Sequence, residues 1–266
     1  MGALTVWVDG VGILGPGIPD WPSAMRVLSG AAPWQPATTV LPAPQNLPGA
    51  ERRRVGPLVR LTLAVGLEAT SGAAADPRRL PAVFASSGSD GETCHHICEV
   101  LATDDRQVSP TRFHNSVHNA AAGYWGIATG ATEASNALCA HDASFAAGLL
   151  EALCQVAVEH TSVLLIAYDA PYPEPVRSMR PIPETFGVAL VLAPVMGPAS
   201  LARLEVDRSA QACGAMEDAA LEALRRSVPA ARSLPLLEHL ARRATGRVHI
   251  DYLEGTSLAV DVTPCH

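Results

Sequence analysis

Residues Ser109–Ala152 read SPTRFHNSVHNAAAGYWGIATGATEASNALCAHDASFAAGLLEA. A dense polar and aromatic segment passes through a short strand near Ser135–Ala140 into an alanine-rich helix expected over Asp142 to Glu159. The junction LCAHDAS places Cys139, His141 and Asp142 within four residues. A helix start carries unpaired N–H groups and the positive end of the dipole, so it favours thiolates and other anions. This junction is the first place to look for an active site or its remains.

Working outward, Leu80–Ser86 (LPAVFAS) is an apolar strand followed by SGSDGET and a helix from about Thr93 to Ala102. Val163–Tyr168 (VLLIAY) is a continuous apolar run, the pattern of a parallel strand buried on both faces. Further upstream, Asp20 caps a helix through Leu28, Ala31–Pro48 is a proline-rich loop, and a helix is expected over Ala50–Ala69. Downstream, Thr185–Ala193 and Ala202–Val206 read as a pair of strands. Glu217–Arg243 is helical with a break near Pro229–Pro235, and two strands joined at Glu254-Gly255 close the chain. Strand and helix alternate over the first 170 residues, and antiparallel signals follow. The class is α/β with a buried central sheet.

Composition narrows the function. At 266 residues and 48% hydrophobic, the chain can bury a full core. A net charge of −7 argues against nucleic acid and anionic membrane surfaces as partners. No apolar run is long enough to span a bilayer, the opening MGALTVWVDG lacks a basic n-region, and Val6 stands where myristoylation needs a hydroxyl. Six scattered cysteines fit reduced thiols, so the expected location is cytoplasmic. All 19 basic residues are arginine; there is no lysine.

Several motifs compete. Gly10, Gly12 and Gly15 match a dinucleotide fingerprint, but Pro16, Pro19 and Pro22 forbid the helix it needs. A tight glycine turn is expected instead. Gly88 and Gly91 could admit a phosphate at a helix start, although a plain turn is the better reading. Cys94, Cys98, His114 and His118 follow a zinc-like order and give the alternative of a zinc-stapled binding module. Asp90, Asp142 and Asp169 could join a serine and a histidine in a hydrolase triad, though no G-x-S-x-G elbow is present. Cys139 near a helix start gives a further alternative, a self-sufficient enzyme with Cys139 as nucleophile and His114 or His118 as base.

The collinear set resembles the β-ketoacyl synthase branch of the thiolase-like fold. VDGVGILGPGIPDWPSAMRVLSG is similar to the opening strand, glycine turn and first helix of those enzymes, and LPGAERRRVGPLVRLTLAVGLEAT to their next helix. PAVFASSGSDG is similar to the following strand and turn, SPTRFHNSVHNAAAGYWGIATG to their dimer-interface helix, and FAAGLLEA to the helix behind the nucleophile. Within the family the likeness is to the chain-length-factor-like subunit of aryl polyene biosynthesis. The resemblance implies a single domain over 1–266, a thiolase-like layered α/β/α fold with a mostly buried central sheet. Residues 1–170 are its best-matched half and 171–266 an abbreviated second half.

It also implies what is missing. Family synthases carry the acyl chain on a cysteine ending the strand before the buried helix. A gapless count puts Asp142 at that position, and a small gap puts Cys139 there. Active members also use two histidines, or a histidine and an asparagine, plus a lysine, in their second half. Here His239 and His249 lie outside the family's glycine-rich context, and no lysine exists. The resemblance therefore implies a non-catalytic subunit, without cofactor or metal. Its partner would be a full-length β-ketoacyl synthase, with acyl carrier protein reached through the complex. Arg112, Phe113, His114, His118, Tyr124 and Trp125 would form the interface and reach toward the partner's acyl pocket.

Overall fold

The computed structural model describes residues 3–265. Its strands are β1 (Leu4–Leu14), β2 (Ala82–Ala85), β3 (Ser135–Leu138), β4 (Val163–Asp169), β5 (Phe186–Ala193), β6 (Ala202–Ser209), β7 (Gly246–Asp251) and β8 (Ser257–Pro264). The α-helices are α1 (Trp21–Leu28), α2 (Gly49–Arg52), α3 (Pro57–Gly72), α4 (Gly91–Leu101), α5 (Pro110–Asn115), α6 (Ala120–Thr129), α7 (Ser144–Glu159), α8 (Val176–Met179), α9 (Ala219–Ser227) and α10 (Leu234–Arg242).

Every residue of β4 is buried, as its unbroken apolar run requires. Its side chains alternate between two cores. Val163, Leu165 and Ala167 join α1, α7, α9 and α10 on one face, while Leu164, Ile166 and Tyr168 join α3 and α6 on the other. The result is three layers, helices on both faces of one sheet. Among the described residues that sheet has eight strands in the order β3-β2-β4-β5-β1-β6-β8-β7. β2 runs parallel to β3 and β4, and the remaining pairs are antiparallel. No described helix is long and apolar enough to cross a membrane.

Local signals place several ends. Asp20 Oδ1 accepts from Ser23 N (2.8 Å) at the start of α1, and Asp90 Oδ1 accepts from Thr93 N (2.9 Å) at the start of α4. Gly255, at φ +67°, turns the hairpin between β7 and β8. Ala31–Pro48 is a loop as expected, held by Trp34 Nε1 donating to Pro16 O (2.8 Å) and Thr39 Oγ1 to Thr185 O (2.8 Å).

Other expectations are corrected. β1 does not stop at Asp9. It continues to Leu14, and the turn comes at Gly15–Ile18. Gly10 and Gly12 lie inside the strand, where the α3 backbone leaves no room for a Cβ. The helix over Ala50–Ala69 is two helices, α2 and α3, because Pro57 has no N–H to carry α2 onward and instead opens α3. The expected interface helix is likewise two pieces, α5 and α6, separated by Ser116–Asn119. β5 and β6 do not pair with each other, because β1 lies between them. After β3 the chain makes a 3₁₀ turn at His141–Ala143 before α7 begins at Ser144.

Candidate functional site

Because β2, β3 and β4 are parallel, their carboxyl ends open on one side of the sheet. Such crevices are where open α/β sheets take ligands. Ser87, Cys139 and Asp169 meet there. Cys139 Sγ donates to Ser87 O (3.0 Å), and Asp169 Oδ1 accepts from Ser87 N (2.9 Å) and Ser87 Oγ (2.6 Å). Asp169 Oδ2 accepts from Ala230 N (2.9 Å), tying the crevice to the 3₁₀ turn Pro229–Ser233. Asp169 is 3% exposed. Burial pushes its carboxyl up to about 6, outweighing the donors that favour the anion. Asp169 bonds Ser87 directly, where a hydrolase triad needs a histidine between them, and the other Ser87 Oγ neighbour among the described residues is Tyr172 Oη at 3.4 Å.

Gly88 and Gly91 do not cradle a phosphate. A Cβ on either would overlap the Tyr172 ring, so these glycines make room for that tyrosine. Cys139 is exposed just past the end of β3, not packed in a strand. His141 adopts a left-handed φ of +51°, the sharp turn between β3 and α7.

Asp142 does not cap α7. The helix has no side-chain cap, and Asp142 faces Arg180 Nη2 (2.8 Å) and Arg232 Nη2 (3.2 Å), with His141 Nδ1 at 3.7 Å. Arg180 also contacts His141 Nε2. Neither arginine was foreseeable from local sequence, since one lies 38 residues away in a proline-rich crossing and the other in the break before α10.

The other predicted residues scatter. Arg112 lines a cavity of about 360 Å³ with Glu92, His95, His96, Glu99 and Tyr172. Phe113 is 68% exposed. His114 is exposed and packs edge-on against Tyr124 at 6.2 Å. His118 has both ring nitrogens buried without a hydrogen-bond partner among the described residues. Tyr124 and Trp125 are each 2% exposed and belong to the core beneath α6 rather than to a surface. Tyr124 Oη donates to Asn115 Oδ1 (3.0 Å), and burial pushes its phenol up.

The zinc module is overturned. Among the described residues no group of three or more His, Cys, Asp or Glu side chains is arranged to hold a metal, and Cys94 Sγ turns to Ser116 O (3.9 Å) instead. Nor does either histidine proposed as a base serve Cys139. His114 packs on Tyr124, and the one hydrogen bond of Cys139 among the described residues is to Ser87 O.

The sequence model described as "Beta-ketoacyl synthase, N-terminal domain" matches residues 28–251. The chain belongs to the β-ketoacyl synthase family. Among solved structures it is similar to a chain of the complex of the ketosynthase ApeO with its chain length factor ApeC from Xenorhabdus doucetiae. Identity there is 22%, with TM-score 0.73 over 97% of this chain and 99% of that one. It is also similar to a chain of the ishigamide ketosynthase/chain length factor, at 14% identity and TM-score 0.72, covering 99% and 100%. A third similar chain comes from AntDE:AntF, a type II polyketide acyl-carrier protein in complex with its ketosynthase bound to the hexaketide. Identity is 11% and TM-score 0.75, with both chains fully covered. No curated protein sequence matches significantly. At these identities the structures establish the thiolase-like fold of this family member.

Proposed function

We propose that this chain is a non-catalytic, chain-length-factor-type subunit. It pairs with a full β-ketoacyl synthase of polyene biosynthesis, aryl polyene or related, and meets acyl carrier protein through the complex in the cytoplasm. The observation that carries the reading is Asp142. On the gapless count, the position the family gives to its nucleophile falls on Asp142, a carboxylate held by two guanidinium groups. A carboxylate has no sulfur with which to carry an acyl chain as a thioester, and pairing with two guanidinium groups weakens it further as an oxygen nucleophile. The absence of lysine removes a second catalytic group. His239, with Nδ1 against Pro235 O (3.2 Å) in α10, and His249, on β7, make no hydrogen bond to Ser87, Cys139 or Asp169 among the described residues. Residues 171–266 add strands β5–β8 to the one sheet rather than building a second, which supports the abbreviated second half.

The edge strand β3 supports pairing. Ala134 O and Leu138 O accept from β2, at Ala82 N and Ser86 N, so alternation turns the backbone groups of Ser135 and Ala137 outward. An unprotected edge of this kind is a template for a partner strand. Ala137→Pro removes an outward N–H while sparing the β2 ladder. Co-expressed with a candidate synthase, the wild-type chain is expected to co-elute in size-exclusion chromatography, and Ala137→Pro to elute alone with an unchanged circular dichroism spectrum. Turnover of malonyl-carrier substrate by the isolated chain, lost on alkylation of Cys139, would establish the self-sufficient enzyme instead.

Phe113, bulky and largely exposed, is our candidate for the side chain that crosses the interface and stops a growing acyl chain by filling space. In the assembled pair, Phe113→Ala should shift the product distribution to longer chains without lowering total carrier acylation. Mass spectrometry of carrier-bound products reads this directly. Unchanged product lengths would remove Phe113 from the pocket.

A further inference from the structure

The pairing of Asp142 extends well beyond two arginines. Arg232 Nη1 also lies 3.9 Å from Asp251 Oδ2, at the end of β7. Asp251 Oδ2 accepts from Arg225 Nη1 (2.9 Å) on α9, and Arg225 is bidentate with Glu222 at 2.7 and 2.8 Å. Glu222, beside that guanidinium, is held down to about 2. Three carboxylates (Asp142, Asp251, Glu222) thus alternate with three guanidinium groups (Arg180, Arg232, Arg225), and the run is neutral as a whole.

The two ends of this run are mechanically unequal. Arg225 and Arg232 sit on the α9 and Pro229–Ser233 framework, whose Ala230, Ala231 and Ser233 are fully buried. Arg180 sits on the crossing between β4 and β5, which carries five prolines and is mostly exposed; Met179 beside it is 86% exposed. Ile182 anchors the far end of that crossing in the core. Between the ends, two side chains bind the crossing to the crevice: Tyr172 against Gly88 and Gly91, and Arg180 on Asp142.

We propose that Asp142 and Arg180 form a clasp holding the segment 170–185 as a closed lid over the crevice at the carboxyl ends of β2, β3 and β4. Removing the Asp142 charge leaves three guanidinium groups facing two carboxylates, with Arg180 and Arg232 side by side and partly buried. Such a charge excess is relieved by moving whichever group is least tethered. That group is Arg180, so the lid opens while the framework stays. Opening withdraws Tyr172 from its glycine cradle and uncovers Ser87, which is buried in the closed state. The clasp holds whether or not the chain pairs with a synthase.

Hydrogen exchange on the full chain tests this, comparing wild type with Asp142→Asn and Arg180→Ala. The reporters are the amides of Arg177, bonded to Pro173 O (3.0 Å), and Arg180, bonded to Val176 O (2.8 Å). Both variants should speed exchange at these amides by roughly tenfold and leave β4 and β5 unchanged, since local opening proceeds without global unfolding. Trypsin should then cut after Arg177. About 0.5 M NaCl should act on wild type in the same direction, because the pair is partly exposed. Unchanged exchange in the lid would overturn the clasp. Equal loss of protection across β4 and β5 would also overturn it, by making Asp142 a general stabiliser. If Asp142→Asn does not fold, Arg180→Ala decides alone, its site being on the exposed crossing.

Discussion

Asp169→Ala is expected to lower the unfolding free energy by about 3–5 kcal/mol, because it orphans three buried donors at once. Ser87 N, Ser87 Oγ and Ala230 N all converge on this carboxylate. The Ser87 hydroxyl can turn toward Tyr172, 3.4 Å away, but the two backbone N–H groups are fixed by their turns and lose the acceptor they have. Because one of them belongs to the Pro229–Ser233 turn, the loss reaches both the β2–α4 corner and the packing of that turn on α7. The cost should depend on pH. Burial raises this carboxyl to about 6 in the folded chain, above its unfolded value, so between the two values the folded state holds a proton that the unfolded state has released. The stability this contributes is complete below the unfolded pKa and is lost as pH rises through about 6. Urea titrations of wild type and Asp169→Ala should therefore differ by about 1–1.5 kcal/mol more at pH 5 than at pH 8. A difference independent of pH would show that the carboxyl is not raised.

What the sequence made legible is what local spacing encodes. VLLIAYD announces a strand buried on both faces, and β4 is one. Asp20 at the head of WPSAMRVL announces a helix cap that forms. Glu254-Gly255 announces a hairpin because few residues other than glycine tolerate that φ. The misreadings share a cause, which is that long-range packing decided them. Tyr124 and Trp125 lie in a helix of small residues, AAAGYWGIAT, with no strong polar face to show which side is buried. That side is fixed by α3, where Gly66 leaves space for the Trp125 ring. The chemistry at Asp142 was legible only as a helix-start carboxylate. Its real partners, Arg180 and Arg232, come from two segments that read as loop and helix break, and nothing in either stretch announces an ion pair.

Gly10 and Gly12 are the sharper case, and they carry the second large effect. A strand followed by GVGILG reads as a turn, because glycine usually marks one. Here the same residues sit within β1, the strand paired to β5 on one side and β6 on the other. A Cβ on Gly12 would overlap Val65 O and come within 2.9 Å of Ala69 N; one on Gly10 would overlap Ala69 O. All of these are backbone atoms of α3, whose Val65 and Ala69 are themselves fully buried. No rotamer change can relieve such a clash, so the helix must lift off the sheet and open the core that Leu61, Val65 and Ile166 share. Gly12→Ala is expected to cost about 3 kcal/mol or more, beyond the usual range for one added methyl group, and to leave most of the expressed chain insoluble. Gly123, on the exposed side of α6 with open space around its Cα, supplies the contrast. There the same substitution should stabilise by about 0.5–1 kcal/mol, since alanine loses less backbone entropy than glycine on entering a helix. Thermal unfolding of both variants separates the two roles of glycine. Similar melting temperatures for Gly12→Ala and Gly123→Ala would mean that α3 does not ride directly on β1.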